Sequence, residues 1–123
     1  MIRLKTKLNM PFDIRDRVAL EAYLKESGVV FDDVEIVRNK ALTWRKNVAC
    51  FSILHPDTVY VCHDQRNMLF LAPHVAHELK HREQFKRMGW LVYAILAFPL
   101  WRMFTIEPEA YAEEDRVGME LEW

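Results

Sequence analysis

Alternating apolar and polar residues mark the first half of the chain, a pattern that predicts half-buried strands. The alternation starts at Ile2 and runs to Met10, where Pro11 ends it. The same reasoning predicts further short strands at Val34 to Val37, Ala41 to Trp44, Val48 to Leu54 and Thr58 to Cys62. Polar and proline-containing turns are expected at 45–47 and 55–57.

Helical spacing of apolar residues appears in three other places. Asp13 can cap a helix that runs to about Ser27 and is closed by Gly28. A second helix spans about 69–88, with Met88-Gly89 as its end. Its predicted apolar face comprises Leu71, Ala72, Val75, Leu79 and Phe85, and its opposite polar face comprises Lys80, Glu83, Gln84 and Arg87. A last helix begins near Pro108 and runs to about Glu120.

This order of elements predicts an α+β fold with a small, mostly antiparallel sheet. The expected organisation is one domain over 1–123, in which 1–65 holds the sheet and the first helix. The second helix follows at 66–89, an apolar connection at 90–106, and the last helix at 107–120.

Composition fits an ordinary globular domain, since 51 % of the 123 residues are hydrophobic and 28 % are charged. A net charge of −1 offers no basic excess, so nucleic acid is not expected as a partner. Cys50 and Cys62 form no CxxC pair and follow no secretory signal. The expectation is therefore a cytoplasmic protein with reduced thiols. The oligomeric state is left open.

The segment His77-Glu78-Leu79-Lys80-His81 carries the clearest chemistry. Residues four apart on a helix project from one face, so His77 and His81 can both reach one zinc ion. Glu78 points about 100° further round the helix, where it can contact a water at the metal. The pattern predicts zinc as cofactor and Glu78 as the catalytic base. The alternative is a helix whose two histidines bind no metal.

A catalytic zinc site needs a third protein ligand, and the last helix supplies candidates. Glu109 is predicted as this ligand, and Glu113, one turn later, as a hydrogen-bond partner of a ligand histidine. Glu113 and Glu107 remain alternatives for the third ligand. His74 is expected near the site, as a hydrogen-bond partner of a ligand, a substitute ligand or a rim residue. Tyr111 is close in sequence but points in an unfavourable direction round the helix.

HExxH followed by a glutamate on a later helix resembles the gluzincin metallopeptidases, and the chain length is similar to that of one-domain minigluzincins and small phage and bacterial zincins. The resemblance covers about Leu69 to Val117 and the preceding strand. It implies hydrolysis of peptide or protein substrates, and a strand that lines the substrate cleft at its edge. The residues that would form this strand are Thr58, Val59, Tyr60, Val61 and Cys62. The Glu-x-x-x-Asp pattern of the family is not matched, because Glu109 is followed by Glu113.

The apolar run from Trp90 to Trp101 contains Pro99 and is too short to span a bilayer. Three alternatives remain open for it: a buried connection, a wall of the substrate cleft, and a surface that touches membrane, with tryptophans at both ends and basic residues on its flanks. Two further functions compete with peptidase activity. One is a non-catalytic zincin-like module in a phage or envelope complex, and the other is a peripheral membrane protein that acts through 90–101.

Overall fold

A computed structural model describes residues 9–10, 12–31, 34–52, 55–96 and 106–121, which form a mixed α+β structure. Its strands are β1 (Asn9–Met10), β2 (Glu35–Asn39), β3 (Ala49–Ser52) and β4 (His55–Cys62). Its helices are α1 (Ile14–Glu26), α2 (Met68–Met88), α3 (Trp90–Leu96) and α4 (Glu107–Glu120). The strands build one sheet and the helices pack around α2, so the predicted α+β class is confirmed.

Asp13 and Gly89 cap α1 and α2 as predicted, and Asn67 caps the start of α2. The carboxylate of Asp13 accepts the backbone N–H of Arg15 at 2.8 Å at the start of α1. The side chain of Asn67 does the same for Leu69 at 3.0 Å at the start of α2. Gly89, with φ 84°, ends α2 in a conformation that favours glycine.

The four strands lie in the order β1-β2-β4-β3. Two pairings are antiparallel, and β2 with β4 is parallel, with Val37 opposite Tyr60. The prediction that Thr58 to Cys62 forms a cleft-edge strand is therefore wrong, because β4 pairs with a strand on each side. Within the described sheet the edge on this side is β3.

Two predicted local structures differ from the fold. Ala41 to Trp44 is a series of turns and not a strand, because the side chain of Asn39 accepts the N–H of Ala41 at 2.8 Å. The N–H of Trp44 is likewise held by Asp64 at 2.9 Å. The turn predicted at 55–57 is also wrong, since β4 already begins at His55, which pairs with Ser52.

The core lies between the sheet and α2, with α1 and α4 closing it. Val59, Leu71, Val75 and Val117 have no exposed surface. Helix α2 is buried on several sides, because the sheet, α1, α3 and α4 all contact it. Arg82 fixes it to β4 by donating to the carbonyl of Pro56 at 3.1 Å and to Asp57 at 3.0 Å.

Some predicted features lie outside the described residues. These are the strand positions before Asn9, the last two residues of the strand predicted at Val48 to Leu54, and residues 97–105 of the apolar connection. Among the helices that are described, none is both long enough and apolar enough to cross a membrane.

Candidate metal centre

Three side chains from α2 and α4 bring their ligand atoms to one point. Nε2 of His81 lies 2.7 Å from Oε1 of Glu107, and Nε2 of His77 lies 3.2 Å from the same oxygen. The two Nε2 atoms are 3.2 Å apart. All three residues are buried, at 5–7 % exposure. This His-His-Glu group could hold a metal ion.

The separations fit the chemistry of a small cation. A tetrahedral zinc ion with bonds of about 2.0–2.1 Å has ligand atoms about 3.3 Å apart. Two of the three observed distances are within a few tenths of an ångström of that value, and the third is shorter. Lone pairs of two imidazoles and a carboxylate oxygen repel at such distances, so a proton or a cation must lie between them.

The carboxylate that meets the histidines belongs to Glu107 and not to Glu109, the ligand predicted from the sequence. Oε1 of Glu109 instead accepts from the side-chain amide of Gln84 at 2.8 Å and from Arg87 at 3.1 Å. These two donors, Gln84 first, hold the pKa of Glu109 below its usual value. Glu109 therefore lies beside the candidate metal centre, with Gln84 between it and His81.

Gln84 is fully buried, although the sequence placed it on the polar face of its helix. Its Oε1 lies 2.9 Å from Nδ1 of His81, and its Nε2 donates to the carbonyl of Ile106 at 2.9 Å. The polar-face prediction is wrong because the start of α4 covers this side of α2. The one sequence feature that could have indicated this contact is a glutamine three residues after the second histidine of the motif.

Glu114 takes the place predicted for Glu113 beside His77. Its Oε1 lies 2.9 Å from Nδ1 of His77, off the axis of a well-aligned hydrogen bond. Burial lowers the pKa of His77, but the carboxylates of Glu114, Glu78 and Glu107 outweigh it, and the net shift is upward. Glu113 instead pairs with Arg116 at 2.9 and 3.1 Å.

Two histidines at the candidate metal centre, His74 and His81, have pKa values that are shifted downward. His74 lies 3.7 Å from Glu114 and outside the three-residue group, and burial is the main cause of its lowered pKa. Burial also lowers the pKa of His81, against the opposing effects of Gln84 and Glu107. A neutral His81 is the form that can ligate a metal.

A cleft of about 250 Å³ opens beside the centre. It runs from α2 and α4 to the segment that enters β3, and its lining includes His77, Glu78, Tyr111, Glu114, Val48 and Ala49. The ring of Tyr111 packs edge-on against that of His77 at 4.6 Å, so the sequence argument that it points away is wrong. Glu78 also acts on Cys50 of β3, whose pKa burial raises to about 11 with a further contribution from this carboxylate.

Comparison with known proteins adds no identification. No protein-family model matches the chain, and neither the curated proteins nor the solved structures contain a significant match. Fold and site thus define a small α+β protein with a potential His-His-Glu metal centre beside an open cleft.

Proposed function

We propose that this protein is a zinc-dependent peptidase in which His77, His81 and Glu107 hold the metal. The observation that carries the proposal is the convergence of Nε2, Nε2 and Oε1 at 2.7–3.2 Å, with Glu78 on the wall of the adjoining cleft. Two imidazoles and one carboxylate are a ligand set that suits zinc and leaves a position open for catalysis.

In the proposed reaction Glu78 is the general base. Zinc in the centre would polarise the peptide carbonyl and lower the pKa of the attacking water. Glu78 accepts the proton from that water and then delivers it to the nitrogen of the leaving amine. Its position next to His77 in the chain puts it beside the metal ligands, and its place on the cleft wall gives it access to substrate.

The outer edge of β3 is the proposed site for an extended peptide. Since β3 ends the described sheet on this side, its edge can accept another strand. Val48 and Ala49 line the same cleft as Glu78, which would put the bound peptide backbone next to the base. This assigns to β3 the role that the family resemblance implied for β4.

The rival function, a non-catalytic zincin-like module, would be favoured by a protein side chain in the fourth metal position. His74 is the residue expected there, yet its Nδ1 lies 3.7 Å from Glu114 and it is not part of the three-residue group. An accessible cleft beside the centre favours catalysis over this rival.

The test compares zinc-loaded wild type with Glu78→Gln on a mixture of proteome-derived peptides, with products identified by mass spectrometry. We expect the variant to keep one zinc per chain and to lose about 10²- to 10⁴-fold in rate, the usual contribution of a general base. Glu83→Gln is the matched control, because Glu83 is an exposed glutamate of the same helix. Cleavage by Glu78→Gln at the wild-type rate, or no cleavage by wild type, would refute the proposal.

A second candidate function is attachment to a membrane surface through 90–101. Trp90, Leu91 and Val92 of α3 are 56 %, 63 % and 48 % exposed, although all three are apolar. Lys86 and Arg87, just before them, are also half exposed, at 54 % and 51 % of their side chains, and form ion pairs with Asp57, Glu83 and Glu109. Exposed tryptophan and leucine beside cationic residues suit the interface of an anionic bilayer.

Co-sedimentation with phosphatidylcholine vesicles, with and without phosphatidylserine, tests this second candidate. Wild type should sediment with the anionic vesicles, and Leu91→Glu should not. Ile14→Glu is the control, because Ile14 is an apolar residue 75 % exposed on α1. Equal sedimentation of the two variants, or none for wild type, would exclude attachment through α3.

A further inference from the structure

The side-chain amide of Gln84 has only one orientation that satisfies its neighbours. One end of it faces the carbonyl oxygen of Ile106 at 2.9 Å and the carboxylate of Glu109 at 2.8 Å. Both of these groups only accept hydrogen bonds, so the NH₂ must be at that end. The amide oxygen must then face Nδ1 of His81, 2.9 Å away.

This orientation determines the tautomer of His81. Because an amide oxygen cannot donate, Nδ1 of His81 must carry the proton that Gln84 accepts. The proton of the neutral ring is thereby assigned to Nδ1, and Nε2 keeps its lone pair. Nε2 is the atom that lies 2.7 Å from Glu107 and 3.2 Å from His77.

The same amide also holds the chain that carries the third ligand. Ile106, whose carbonyl it binds, is the residue directly before Glu107 and is 1 % exposed. Gln84 therefore connects a histidine on α2 with the first turn of α4 through a side chain that has no exposed surface.

We infer that Gln84 is a positioning residue that fixes His81 in the Nδ1–H tautomer and joins it to the segment bearing Glu107, so that the metal site is assembled before the metal binds. This inference rests on the proposed function for its role, but not for its geometry. Loss of a side chain that orients a ligand histidine commonly weakens metal binding about 10- to 100-fold.

Two variants separate this role from simple packing. Gln84→Met is similar in size and removes both hydrogen-bonding ends, so we expect zinc affinity to fall about 10- to 100-fold in competition with a chromophoric chelator. Gln84→Glu keeps an oxygen that can accept from His81, but it replaces the NH₂ donors by a second oxygen that faces the Ile106 carbonyl and Glu109. We expect it to lose less zinc affinity than Gln84→Met, since the tautomer is preserved while the link to Ile106 is lost. Circular dichroism and thermal unfolding of the metal-free proteins check that both variants fold.

Equal zinc affinity of Gln84→Met and wild type would overturn the inference. So would equal weakening of both variants, because that result would assign the effect to the link with Ile106 alone. The tautomer can also be measured directly on the wild-type protein. Long-range ¹H–¹⁵N NMR of the metal-free protein near pH 8 should show a His81 proton on Nδ1. A ring that carries its proton on Nε2 and none on Nδ1 would refute the assignment. If wild type binds no zinc, the proposed function fails, while the NMR result still decides the tautomer.

Discussion

The choice between Glu107 and Glu109 as metal ligand can be decided with two matched substitutions. Glu107→Gln removes the carboxylate charge from the side chain whose Oε1 lies 2.7 Å from His81 and 3.2 Å from His77. Glu109→Gln makes the same chemical change two residues further on, where the carboxylate accepts from Gln84 and Arg87. Each replaces one oxygen by an NH₂ group, so side-chain size and helix position are matched.

The expected effect is large enough to measure by thermal unfolding. A ligand present at a hundredfold excess over its Kd stabilises the native state by about 2.7 kcal/mol. With an unfolding entropy of about 2.1 cal/mol/K per residue, a chain of 123 residues loses or gains about 4 °C in Tm per kcal/mol. Zinc should therefore raise the Tm of wild type by about 10 °C at that excess.

We expect Glu109→Gln to keep most of this zinc-dependent increase and Glu107→Gln to lose nearly all of it at the same zinc concentration. Comparing each variant with and without zinc cancels any effect of the substitution on the metal-free protein. Differential scanning calorimetry with a chelator-treated reference provides the measurement. The reverse result, with the increase lost only in Glu109→Gln, would contradict the observed site and restore the ligand predicted from the sequence.

Three other predictions concern residues around the centre and the core. With a pKa of about 11 in place of 9.0, Cys50 should react with iodoacetamide at pH 8 about 100-fold more slowly than an unshielded thiol. Because the folded state holds that proton more tightly, stability should fall as pH rises from 9 towards 11, and urea unfolding of Cys50→Ser should lack this part of the decline. Glu114→Gln should lower the pKa of His77 in the metal-free protein, as followed by NMR titration, and an unchanged value would mean that Glu114 does not act on the ring. Leu71→Ala should cost about 2–5 kcal/mol in urea unfolding, since Leu71 has no exposed surface, and a loss below 1 kcal/mol would contradict its place in the core.

Much of the fold follows from local signals in the sequence. Asp13 and Gly89 act through backbone groups within a few residues, so the caps that they form are readable without knowledge of the fold. The strand predicted at Ala41 to Trp44 failed for the opposite reason. Its alternation is compatible with a strand, but Asn39 and the distant Asp64 bind its N–H groups and hold the segment in turns.

The order of the strands in the sheet could not be predicted from the sequence either. Alternating residues in β4 identify a strand but not its neighbours. The parallel pairing of Val37 with Tyr60 joins segments separated by β3, and it moves β4 from the edge to the interior of the sheet. That rearrangement transfers the predicted cleft-edge role to β3.

The identity of the third metal ligand could not be predicted from the sequence for a similar reason. The apolar face of α4 is centred on Ile106, Ala110 and Val117, and at 100° per residue Glu107 and Glu109 lie about 80° to either side of it. Both flanks carry a second glutamate on the same side, so the sequence offers two nearly symmetric choices. Only the direction in which α4 crosses α2 distinguishes them, and that direction depends on how the two helices pack. Gln84 takes part in this packing by donating to the carbonyl of Ile106, and helical periodicity alone had assigned this buried glutamine to the polar face.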